Sequence, residues 1–225
     1  MKLTNRLNAV VNLVSQRKVA DIGCDHGKVP INLILNNRCD YVIASDVNAG
    51  PADACRRNVA KYGLSDKIEV RCGNGISVLD KGECDTIIIA GMGGELISKI
   101  IADNIDVAKS AKEIIMQPMT SEETLREYLF LNGFIITDEI LAKEDEKIYI
   151  IIRATCGNSQ KQLFYFPPLL KNNDSELISL YYNKVSKRIC DKIKGAEISK
   201  NEEIQSKYKK ILDEVNEIYE SISDM

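Results

Sequence analysis

The sequence predicts an α/β protein: a doubly wound parallel sheet with an antiparallel pair at one edge, followed by a C-terminal helical hairpin. Three observations carry this expectation. Between residues 17 and 156, short β-branched runs alternate with longer segments of helical spacing, the rhythm of a parallel sheet clothed in helices. Most of those runs are apolar almost throughout, as strands buried on both faces must be. Beyond Pro167-Pro168 the chain becomes charged and heptad-patterned.

Taken in order, the expected parallel strands are 18–22, 41–46, 68–72, 85–90 and 113–116. Helical segments fall around 28–37, 50–62, 94–104 and 120–132, the last carrying Leu125, Leu129 and Phe130. Two more runs, 134–137 and 147–152, leave little room for a helix between them, so they are expected to pair antiparallel. Near the end, Ile204, Tyr208, Ile211, Val215, Ile218 and Ile222 recur at steps of four and three. An earlier stripe, Leu177, Tyr181, Val185, Ile189 and Ile193, has helical spacing too, and Gly195 separates the two. The economical reading is an antiparallel coiled-coil hairpin projecting from the sheet domain; the alternative is a helical pair packed flat on it. Expected domain limits are 1–160 and 167–225.

A length of 225 residues suits one domain plus an appendage, and 44% apolar with 28% charged residues excludes a disordered or collagen-like chain. The seven cysteines are scattered, none spaced C-x-x-C, and His26 is the only histidine, so neither a disulfide framework nor a metal site is expected. The formal charge of −3 gives no global basic field, so a polynucleotide would need a local patch. No apolar run approaches the ~20 residues of a membrane span. The opening Met1-Lys2-Leu3-Thr4-Asn5-Arg6 has no signal-peptide pattern. A cytoplasmic protein without a membrane partner is expected.

Open α/β sheets bind ligands beyond the carboxyl ends of their strands, where strand order reverses. The first strand ends Asp21-Ile22-Gly23-Cys24-Asp25-His26-Gly27. The dinucleotide pattern G-x-G-x-x-G fails there, because Asp25 stands at its second glycine and would repel a pyrophosphate. The run instead resembles the D-x-G-x-G-x-G opening of S-adenosylmethionine methyltransferases, whose cationic ligand tolerates an acid nearby. Asp46 closes the second strand, where a carboxylate can accept hydrogen bonds from ribose hydroxyls. Gly73-Asn74-Gly75 follows the third strand, either as a simple turn or with Asn74 offering its amide to an adenine edge. The fourth strand runs into Ala90-Gly91-Met92-Gly93-Gly94, a density of glycine that suits backbone pressed against a ligand. Gln117-Pro118 closes the fifth at the same rim, as turn or as substrate contact. An Asp/Asn-Pro-Pro-aromatic signature is absent, which argues against exocyclic-amine methylation of DNA.

Taken together, Asp21 to Gly27, Ser45-Asp46-Val47-Asn48-Ala49-Gly50-Pro51, Ile89-Ala90-Gly91-Met92-Gly93-Gly94, Met116-Gln117-Pro118 and the opening Leu3-x-x-Arg6-Leu7 resemble the bacterial tRNA adenine-22 N1-methyltransferases, the TrmK family. The resemblance spans nearly the whole chain; Cys24 stands where Ser is usual and Asn74 where Asp is more typical. It implies a Rossmann-like class I methyltransferase fold, S-adenosylmethionine as cofactor with no metal, and methyl transfer to N1 of an adenine in tRNA. Cofactor contacts are then expected from Asp21, Gly23, Gly27, Asp46, Val47, Asn74, Gly75, Ala90, Gly91 and Met92. The adenine N1 lone pair attacks the methyl in line, and a fixed carboxylate stabilises the charge that moves onto the ring. Asp25 is the candidate, its rival role being to hold the cofactor's amino group. His26 is a candidate general base or stacking group, or a loop histidine held by a backbone carbonyl. Lys184, Lys187, Arg188 and Lys192 crowd the first C-terminal helix and, with Arg6, Arg56 and Arg57, form a candidate stripe for RNA phosphates, or else a solvated face. The apolar seam can close within one chain or between chains, so the oligomeric state stays open, with a monomer as the simpler expectation. The competing reading is a methyltransferase for a small metabolite or a protein, with the coiled coil as an oligomerisation or partner arm.

Overall fold

The computed structural model describes residues 1–158 and 164–223. Helix α1 (Asn5–Leu13) leads, with Thr4 Oγ1 accepting from the Leu7 amide as its cap. There follow β1 (Lys18–Ile22), α2 (Lys28–Leu35), β2 (Tyr41–Asp46), α3 (Ala49–Lys61), β3 (Ile68–Cys72), β4 (Thr86–Met92), α4 (Gly94–Asp103), α5 (Ile105–Ser110), β5 (Glu113–Pro118) and α6 (Glu122–Leu131). The long pair β6 (Phe134–Glu144) and β7 (Lys147–Cys156) comes next, then a 3₁₀ turn over Pro168–Asn172, α7 (Ser175–Ile198) and α8 (Glu202–Ser223).

The strands form one sheet in the order β3-β2-β1-β4-β5-β7-β6. β1 to β5 are parallel; β7 pairs antiparallel with both β5 and β6. Alternation along β4 explains why its sequence reads as a continuous apolar run. Ile87 and Ile89 enter the core shared with α4, α6 and the C-terminal helices, while Ile88 enters the core shared with α1, α2 and α3. The sheet is thus covered on both faces, as the apolar strands require.

Three expectations change. Strand β6 runs past the expected 134–137 on to Glu144, with Glu139 buried within it as the partner of Arg126. Helix α7 passes straight through Gly195, and the hairpin turns at Lys200 with a left-handed φ of 53°. The hairpin is also seated rather than simply projecting. Ile178, Tyr181, Val185 and Ile189 of α7 share the core of Ile150 and Ile152, while α8 closes against α7 through the stacked rings of Tyr182 and Tyr219, 3.9 Å apart. The segment before α7 is pinned to the sheet edge. Asn173 Oδ1 accepts from the Leu141 amide at 2.6 Å, and its Nδ2 donates to the Glu139 carbonyl at 2.8 Å. The boundary expected at 160 lies outside the described residues.

Candidate active site

The strand order reverses between β1 and β4, and the loops at their carboxyl ends frame two contiguous lobes of about 310 and 280 Å³ that share Gly23, Ala90 and Gly91. The first lobe is walled by Asp46, Val47, Asn74, Gly75, Met92 and, from α4, Leu96 and Ile100. The second holds Asp21, Asp25, His26 and Arg6. Of the residues expected to bind cofactor, Gly27 alone lines neither lobe. It caps α2 in the left-handed region, against Cys55 of α3. Leu96 and Ile100 join the wall unannounced by the sequence, where nothing but helical spacing marks them.

Backbone ties build the cradle. The amides of Gly23 and Cys24 both donate to the Ser45 carbonyl at 2.8 Å, clamping the loop after β1 onto β2. Gly23 has φ +79°, a left-handed backbone that any L side chain would strain, and it packs against the flexible end of the Met92 side chain. Asp46 is buried, its Oδ1 accepting from the Asn48 amide at 3.0 Å and its Oδ2 from the Asp25 amide at 3.3 Å. Its carboxylate is therefore fixed in the lobe, with lone pairs left for a diol.

Asp21 differs. It is 4% exposed, lines the second lobe, and among the described residues its carboxyl receives no hydrogen bond. Burial, and secondarily the charge of Asp46, pushes its pKa up to about 7. A buried acid without a partner is a costly feature unless a cation arrives. An ammonium-bearing, nucleoside-containing ligand such as S-adenosylmethionine fits both lobes: a carboxylate for its amino group, another for its ribose, and a glycine rim between.

At the mouth, Asp25 adopts φ 48° and leaves its side chain 65% exposed, with His26 Nε2 at 3.6 Å from its Oδ1. Strained backbone of this kind is characteristic of functional loops. Gln117, fully buried, resolves its two readings by doing neither. Its Oε1 accepts from Arg6 Nη1 at 2.5 Å and from the Gly91 amide at 3.1 Å, while its Nε2 donates to the Pro118 carbonyl. It holds the glycine rim and Arg6 in register. Arg6, expected on an RNA track, lines the second lobe, with Glu144 at 3.7 Å and its guanidinium over the Tyr149 ring.

The basic stripe is divided by the fold. Lys184 and Arg188 point inward and each reaches Glu122 at 2.6 Å; Arg188 also donates to Glu123 at 2.8 Å. Burial pushes the Glu122 carboxyl up, but the two cations outweigh it and hold it down at about 2. These two residues are therefore ion-pair partners within the protein. Arg56 is engaged by Asp53 and the Val70 carbonyl. Lys192 lies against Tyr208. Arg57 and Lys187 are exposed and without an ion pair among the described residues.

Comparisons with known proteins agree with this geometry. A family model described as a methyltransferase domain matches residues 3–152. The tRNA (adenine(22)-N(1))-methyltransferase of Bacillus subtilis (strain 168) is 37% identical over 159 residues, 70% of this chain and 67% of that protein. The crystal structure of the B. subtilis m1A22 tRNA methyltransferase TrmK superposes with a TM-score of 0.86 at 27% identity, covering 97% of this chain and 99% of the other. TrmK of M. capricolum in complex with S-adenosyl-homocysteine superposes with a TM-score of 0.78 at 26% identity, over 97% and 100%. On its sequence and its fold, the chain belongs to the tRNA (adenine(22)-N(1))-methyltransferase family.

Proposed function

We propose that the protein transfers a methyl group from S-adenosylmethionine to N1 of adenine 22 in tRNA, in the cytoplasm. The observation that carries the cofactor half is the buried, unpartnered Asp21 beside the fixed Asp46 in a glycine-rimmed double lobe. Family membership carries the substrate half. S-Adenosylmethionine supplies an electrophilic methyl on a sulfonium. Asp21 holds the ammonium end, Asp46 the ribose, and Asn74, Leu96 and Ile100 the adenine. Gly23 and Gly91, which line both lobes, would leave room there for the sulfonium end of the ligand.

N1 lies on the pairing edge of adenine, so the base must leave its stack to react. Its in-plane lone pair would form the new N–C bond as the sulfonium C–S bond breaks, the neutral thioether S-adenosylhomocysteine leaving and the positive charge passing to the ring. Asp25, exposed at the mouth beside this path, stabilises that charge and accepts a proton from the exocyclic amine. His26, at 3.6 Å, orients the carboxylate. Arg57 and Lys187 supply phosphate contacts that position the tRNA without reading its sequence.

With unmodified tRNA and radiolabelled S-adenosylmethionine, we expect N1-methyladenine at position 22, mapped by mass spectrometry. Asp25→Ala is expected to lower kcat about 100-fold or more with cofactor affinity preserved. Asp46→Ala is expected to raise the cofactor requirement about 10- to 100-fold with a smaller effect on kcat. Near-parental turnover of the Asp25 variant removes that residue from the chemistry, and no product on tRNA removes the substrate assignment.

A further inference from the structure

A third cavity, of about 550 Å³, lies outside the two lobes, between the loop after β5, the β6–β7 hairpin and α7. Its floor is apolar, from Met119, Ile148, Tyr149 and Leu180; on its rim Lys143 and Lys147 are exposed. Lys147 has no ion pair among the described residues, and Lys143 only grazes Glu176 at 4.0 Å. Lys184, in the wall, is spent on Glu122. Glu146 is the acid on the rim, a hydrogen-bond acceptor within reach of the same space.

This cavity adjoins the active site. Arg6, which lines the second lobe, lies 5.6 Å from the centroid of the Tyr149 ring, and the Met119 amide donates to the Met92 carbonyl at 2.8 Å. The cavity and the two lobes have no lining residue in common, and Arg6, held by Gln117 at 2.5 Å, lines the second lobe alone. What fits it is flat, apolar on its faces, able to donate hydrogen bonds at its edge, and attached to negative charge. An unstacked nucleotide meets all four conditions. Its size is within the ordinary range for small-ligand pockets.

We propose that this cavity receives a nucleotide of the RNA substrate neighbouring the methylated adenine. The base lies against Tyr149 and Leu180, an exocyclic amine reaches Glu146, and the phosphate sits beside Lys143 and Lys147. Extruding the target base unstacks its neighbour as well, and capture of that neighbour holds the strand open while Arg6 separates the two. The assignment rests on the reading that tRNA is the substrate, so its test uses a binding measurement that does not depend on turnover.

Fluorescence anisotropy of labelled tRNA is measured for the parent, for Lys143→Glu/Lys147→Glu, and for Leu180→Glu, with cofactor affinity measured by calorimetry on each. The expected result is a tRNA Kd raised about tenfold or more in both variants, with cofactor affinity at the parental value. In the lysine variant the slope of log Kd against log salt should also fall by roughly 0.7 for each phosphate that is no longer neutralised. Tyr149→Ala should behave like Leu180→Glu, and Tyr149→Phe should restore binding. Parental Kd and salt slope in the lysine variant overturn the proposal. So does a change in sedimentation without a change in Kd, which would make the cavity an interface between two copies. A parent that binds tRNA but does not methylate it defeats the proposed reaction, while the variants still decide the pocket.

Discussion

Asp21→Asn is expected to abolish tight S-adenosylmethionine binding while making the protein more stable at pH 8. Both effects have one cause. The parental carboxyl is buried, with a pKa pushed up to about 7 from an ordinary 3.8, so the fold favours its protonated form. Its contribution to stability is fully present below pH 3.8 and is lost as pH rises through 7, a change of about 4 kcal/mol at most. Asparagine keeps the shape and removes the charge, so the melting midpoint at pH 8 should rise by roughly 5 °C or more. Binding runs the other way. The ammonium of the cofactor needs the carboxylate, and losing a buried charge partner costs about 3–5 kcal/mol, more than 100-fold in affinity. Parental affinity should also fall about tenfold per pH unit below 7 as Asp21 takes up a proton, whereas the variant should be flat between pH 5.5 and 7.5. Calorimetric titration and thermal melts across that range test both halves. A variant that keeps cofactor affinity, or loses it together with stability, would show that Asp21 serves the fold and not the ligand.

The carboxylates of this cleft were legible because strand ends and glycine loops are local. Asp21 and Asp46 each follow an apolar run, so their place at the carboxyl end of a strand follows from counting. Local pattern carries no information about which distant side chain consumes a polar group. Gln117 and Arg6, 111 residues apart, meet only because β5 lies beside β4 and α1 packs nearby. The same blindness hid the ion pairs of Lys184 and Arg188: their buried partner Glu122 is more than 60 residues away. The expected sixth strand ended at Thr137, and the burial of Glu139 beyond it is intelligible only from its pairing with Arg126. Helix α7 crosses Gly195 because packing of Val185, Ile189 and Ala196 outweighs a cost of about 1 kcal/mol for glycine in a helix.

Arg126→Leu is expected to destabilise the protein by about 3–5 kcal/mol in urea unfolding, with Arg126→Leu/Glu139→Leu recovering most of the loss. The arginine is 1% exposed and joins four parts of the chain: from α6 its Nε donates to Glu139 of β6 at 2.6 Å, its Nη1 to the Phe164 carbonyl at 2.7 Å, and its Nη2 to the Tyr181 hydroxyl of α7 at 3.1 Å. Removing it alone strands a buried carboxylate whose second oxygen already lacks a partner among the described residues. Burial pushes the Glu139 carboxyl up even in the parent, against the pull of Arg126. In the single variant that carboxyl takes a proton rather than remain a bare charge, so the loss should be smallest near pH 5 and grow as pH rises. The double variant removes both charges, so its stability should return without the same pH dependence. What it should not restore is the seat of α7, because Tyr181 then loses the guanidinium that fixes its hydroxyl. Leu180 and Lys184, neighbours of Tyr181 on that helix, form one wall of the cavity beside the active site. A stable double variant that binds S-adenosylmethionine normally but tRNA more weakly would separate the two duties of the cluster. Equal recovery of stability and tRNA affinity would mean that apolar packing alone holds α7 in place.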